Sequence, residues 1–184
     1  MVAPPTRADF ARYISRVAHS APGTDGIPYL GWLSAGAEAV DSLYEASGWL
    51  QAGRVLHIRF NDSLLHFAVK GGLDHDLVEV LRTPDAARPL SLKNTDNNII
   101  CGAMNDKLKG PIATSACFAQ RGFVKGRHLV EQNIELDAWG RKMALRPAMQ
   151  LPMLALFDFG AAFPILVQPF LMCALIKANL LAGM

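Results

Sequence analysis

The chain has 184 residues, 51% of them apolar and 18% charged, with a formal net charge of +2. That is enough apolar material for a packed core, which argues against a disordered chain, and too little net charge to demand a polyanionic partner. Three scattered cysteines, Cys101, Cys117 and Cys173, show no C-x-x-C spacing, which argues against a disulfide framework and for a reducing, intracellular compartment. The segment MVAPPTRADF lacks the apolar stretch of a secretory signal.

In chain order, Phe10, Tyr13, Ile14, Val17 and Ala18 recur at helical spacing, so an amphipathic helix is predicted over 9–18 with Asp9 at its start. Residues 20–28 hold two glycines and two prolines and read as a structured turn. A second helix is expected over 32–47, with Leu33, Ala37, Val40 and Tyr44 along one face and Gly48 at its end. LLHFAV (64–69) reads as a strand, 70–76 as the tip of a hairpin, and 77–81 as the returning strand. A third helix starts near 94–96, lines up Ile100, Ala103, Met104 and Leu108, and is ended by Lys107, Lys109, Gly110 and Pro111. Further on, a helix is expected over 128–139, a fully buried strand over 153–157 ending at Asp158, and a helix over 171–181. Trp32, Trp49 and Trp139 are expected as core or half-buried anchors, and Asp74, His75 and Asp76 as part of the hairpin tip rather than a metal site.

The 18 residues from Phe159 to Ile176 carry no charge, which approaches the length of a membrane span. Pro164, Gln168 and Pro169 interrupt them, and a buried strand followed by a helix accounts for the same run. No membrane partner is therefore expected. A small membrane-associated protein anchored by 151–176 is the competing reading, and it fails if the protein is soluble without detergent.

Four segments carry more information together than apart: APGTDGIP (21–28), RPLSLKNTD (88–96), QRGFVKGR (120–127) followed by Asn133 and Ile134, and LFDFGAAF (156–163). In this order they resemble the reverse transcriptases of non-LTR (LINE-type) retrotransposons, over about residues 20–180. The resemblance implies an α+β fold, the fingers and partial palm of a right-hand polymerase, with a fingers β-hairpin packed by helices and an incomplete palm sheet. It implies one partial domain over 1–184, with fingers and the fingers–palm connection over about 1–150 and the start of the palm over 151–184.

The implied activity is RNA-directed DNA polymerisation, template-directed dNTP addition to a primer 3′-hydroxyl. Two divalent ions roughly 3.5–4 Å apart assist such an in-line displacement, and Mg2+ (or Mn2+) takes carboxylate and phosphate oxygens. The resemblance makes Asp158 the catalytic carboxylate and metal ligand, sets the Phe159 carbonyl beside the same metal, and puts Phe163 under the sugar of the incoming dNTP. It makes Arg88 and Lys70 the fingers cations for the triphosphate; Val69 stands where the family has proline. Guanidinium suits phosphate as a flat fork of donors. The loop containing Arg121, Lys125, Gly126 and Arg127 is expected near the template strand, its cations on phosphates and Phe123 packed inward. RNA template and DNA primer are the implied partners.

The family's second palm motif, an aromatic residue followed by an Asp-Asp pair, has no counterpart, because the 184 residues contain no adjacent aspartates. They are therefore expected to be inactive alone, a fragment of a polymerase. The alternative is a non-catalytic nucleic-acid-binding product or the remnant of a decayed retroelement.

Overall fold

The computed structural model describes residues 2–18, 20–54, 56, 57, 59–71, 82–145, 153, 155–157 and 166–177. The chain divides into two compact units, 5–105 and 1–4 with 106–184, and the division falls within one helix. Among the described residues there are six α-helices and a two-stranded antiparallel sheet, an α+β composition.

In the first unit, α1 (Arg7–Ile14) opens on Thr6. The Thr6 hydroxyl accepts the Asp9 backbone N–H, and the Asp9 carboxylate accepts the Thr6 N–H at 2.8 Å. This reciprocal pair satisfies donors that a helix start leaves bare. The cap is Thr6, with Asp9 as its partner one turn in, and the helix ends at Ile14 rather than 18. Phe10 and Ile14 are buried, as their spacing requires.

The helix expected over 32–47 is two helices, α2 (Tyr29–Ala35) and α3 (Ala37–Gln51). Gly36 separates them at φ 60°, ψ −123°, a conformation open to glycine and costly for any residue with a Cβ. The break changes the buried face. Ala39, Leu43 and Ser47 go inside at a spacing of four, Leu33 and Tyr44 are exposed, and Val40 packs at the edge. Gly48 lies within α3 instead of ending it.

The core joins Phe10, Ile14, Tyr29 and Leu43 to Ile99, Ile100 and Ala103 of α4 (Thr95–Ser115). The predicted start of α4 holds. Its predicted end does not, because Pro111 lies inside the helix. Proline withholds one N–H from the ladder, yet the turn beyond it survives, with the Ala116 N–H donating to the Ile112 carbonyl at 2.8 Å.

β1 (Ser63–Val69) pairs with β2 (Ala87–Lys93); the returning strand expected over 77–81 lies outside the described residues. Pro89 makes RPLSLK a poor strand on its face. The register explains the tolerance. The Lys70 N–H donates to the Ala86 carbonyl at 2.8 Å, so Phe67 and Pro89 form a non-hydrogen-bonded pair and the nitrogen of Pro89 points away from β1.

In the second unit, α5 (Leu129–Ala144) and α6 (Gln168–Lys177) form near their expected positions and contain no buried residue. The buried strand expected over 153–157 is absent among its described residues. Met153, Leu156 and Phe157 are 90%, 79% and 91% exposed. A strand needs a partner for its N–H and C=O groups, and among the described residues none pairs with these. Of the three tryptophans Trp32 is half-buried, while Trp49 and Trp139 are exposed. No helix among the described residues is long and apolar enough to cross a membrane.

Candidate functional site

The first two of the four sequence segments meet. The Gly26 N–H donates to the Gly23 carbonyl at 3.2 Å, closing a turn over Thr24 and Asp25, and Gly26 takes φ 70°. Asn94 reads this turn with one oxygen, Oδ1, which accepts the Thr24 hydroxyl at 3.2 Å and the Asp25 N–H at 3.3 Å. A Cβ on Gly23 would collide with Asn94, so glycine is what allows the approach. Next in line, the wholly buried Thr95 donates its hydroxyl to the Ile27 carbonyl and accepts Trp32 Nε1–H, both at 2.8 Å. Asn97 Nδ2 reaches the Phe60 carbonyl at 3.2 Å and Asn61 Oδ1 at 3.1 Å. Buried polar groups persist only when paired in this way. Residues 94–97 therefore knit three stretches of chain together. Sequence reasoning used 94–96 as a motif and helix start and missed this clasp and Asn97; the run of short polar side chains before an apolar helix is the signal for it.

The same segment leads back into the hairpin. Arg88 stands opposite Ala68 in the register, and Lys70 follows Ala68 by two residues. Lys70 is the first residue past β1, and its N–H still donates to the Ala86 carbonyl at 2.8 Å, so it sits at the same end of the strand pair as Arg88. Both are exposed. Two expected fingers cations are thus at one end of one antiparallel strand pair.

In the other unit, the loop over 120–128 departs from expectation. Phe123 is fully exposed and takes φ 60°, while Val124 is buried in its place. A left-handed φ swings the aromatic side chain outward, and a bulky residue held there stores on the order of 1–2 kcal/mol of strain. Arg127 is committed to the backbone: Nη1 donates to the carbonyls of Cys117 at 2.5 Å and Gln120 at 2.7 Å, and Nη2 to those of Ala116 at 3.0 Å and Ala113 at 3.3 Å. It satisfies carbonyls that the end of α4 leaves open, in the way cations suit a helix C-terminus. Arg121 bridges Glu135 and Glu131, the latter at 3.3 Å, and its Nε is buried without a hydrogen-bond partner among the described residues. Lys125 is exposed, and Gly126 takes φ 80°.

Asp158, Phe159 and Phe163 lie outside the described residues, as do Asp74, His75 and Asp76. Among the described residues no group of three or more His, Cys, Asp or Glu is placed to hold a metal ion. Comparison of the chain with protein-family models, with curated proteins and with solved structures gave no match.

Proposed function

We propose that these residues are the fingers and the beginning of the palm of a non-LTR-type reverse transcriptase, which in a whole enzyme grip the incoming dNTP and the template–primer. The observation that supports it is that the exposed Lys70 and Arg88 lie at the same end of an antiparallel strand pair. Two cations on a two-stranded arm suit a triphosphate, a compact polyanion best met by a point charge and a flat fork together. The clasp of 94–97 on the 23–27 turn anchors the base of that arm. Asp158 is proposed as the metal-binding carboxylate, with Mg2+ or Mn2+ neutralising phosphate charge when bound.

The 184 residues alone have no paired aspartates to complete such a site, so binding, not polymerisation, is the activity expected of them. Fluorescence anisotropy with a labelled RNA–DNA template–primer and displacement by dATP test this. Binding should weaken steeply with salt, and Lys70→Ala with Arg88→Ala should lower dATP affinity about tenfold or more. Salt-insensitive binding, or dATP affinity unchanged in the double variant, would sink the proposal. A second reading, a non-catalytic product, is favoured by one observation: Arg121 and Arg127 are occupied by internal partners. It predicts no dATP competition at all.

A further inference from the structure

Within the first unit, α2, α3, the chain that follows α3 and the start of α4 line an open pocket of about 470 Å³ whose walls include Trp32, Trp49, Leu56, His57, Phe60 and Asp96. That volume falls in the range of small-molecule sites, about 300–1,000 Å³. The walls are mostly aromatic and apolar, with Ser42, His57 and one carboxylate as their polar groups. Asp96 Oδ1 accepts the Asn97 N–H at 2.6 Å, and among the described residues no cation pairs with it. Arg59, next to the lining residue Phe60, is turned to Asp62 at 3.9 Å. Burial raises the Asp96 pKa, the Asn97 N–H opposes that, and the charge of Asp25 raises it further. The lining thus presents a partly desolvated negative charge beside aromatic faces.

We propose that this pocket binds a small organic cation, an arylalkyl ammonium whose ring lies against Trp32, Trp49 and Phe60 and whose N–H groups donate to Asp96. Each part of the ligand answers one feature of the wall. Aromatic faces attract a cation electrostatically. A half-buried carboxylate is costly until a charge meets it. A neutral ligand of the same shape leaves that carboxylate unpaired, and an anion meets the like charge of Asp96. The site stands whether or not the polymerase reading does, since it uses neither Lys70 nor Arg88.

Isothermal titration calorimetry on the full chain, with 2-phenylethylammonium, 2-phenylethanol and 3-phenylpropionate as probes, tests it. The ammonium should bind saturably at one site, about tenfold or more tighter than the alcohol, with the carboxylate probe weakest. Asp96→Asn keeps an acceptor for the Asn97 N–H and should bring the ammonium down to the level of the alcohol. Trp49→Ala, at a residue 45% exposed, should weaken both probes while a thermal melt shows the fold retained. No saturable ammonium binding, equal affinity for the alcohol, or an ammonium preference that survives Asp96→Asn would each overturn the proposal.

Discussion

Asp96 makes an electrostatic demand on the fold that its neighbours do not meet. Burial raises its pKa above the usual 3.8, so the folded protein holds this proton more tightly than the unfolded chain does. The favourable, protonated state is fully present below 3.8 and is lost as pH rises through the folded value, so at neutral pH the ionised side chain costs stability. Asp96→Asn carries no charge to desolvate. It should melt above the parent at pH 7, and the gap should close on acidification toward 3.8. A gap that is absent at pH 7 or that widens in acid would show that burial does not govern this carboxyl. Thr95 beside it illustrates the opposite economy: a fully buried hydroxyl that both donates and accepts, so Thr95→Val should cost about 1–3 kcal/mol in urea unfolding by leaving the Ile27 carbonyl and Trp32 N–H without it.

At the level of elements, two glycines of the α2–α3 region act with opposite signs. Gly36 sits at φ 60° between the helices, while Gly48 sits inside α3 with open space where a Cβ would go. Gly36→Ala should destabilise by about 1–2 kcal/mol, and Gly48→Ala should stabilise by about 1 kcal/mol; matched denaturation curves check both. A stabilising Gly36→Ala would mean that the two helices can run on as one. The sequence alone marked the wrong glycine, because periodicity through 32–47 continues across the break and cannot register a backbone angle. Helix starts were more legible, as with α4 and α5, since caps and apolar spacing are local. The partner of β1 was not: the returning strand was placed at 77–81, and a segment holding Pro89 pairs with β1 only because the register turns its missing N–H outward. The candidate site divides the same way. Residues 94–96 and the hairpin cations were named from the sequence, but the side on which Phe123 and Val124 fall depends on one φ angle.

For the whole molecule, burial is concentrated in the first unit. The core cluster lies entirely within 5–105, whereas α5 and α6 contain no buried residue. Amide exchange should follow this division, with Ile99–Ala103 slowest and α5 and α6 faster by on the order of a hundredfold or more. Uniform protection across both units would contradict it. The grip of Arg127 on four carbonyls carries a further consequence for what cellular enzymes can cut. A trypsin-like protease must draw the whole basic side chain into its specificity pocket. Lys125 is exposed and can be surrendered, but Arg127 can be taken only by first releasing the end of α4. Brief digestion should therefore nick the chain after Lys125 and spare the bond after Arg127, so that two basic residues, two positions apart, become a cleavage site and a lock.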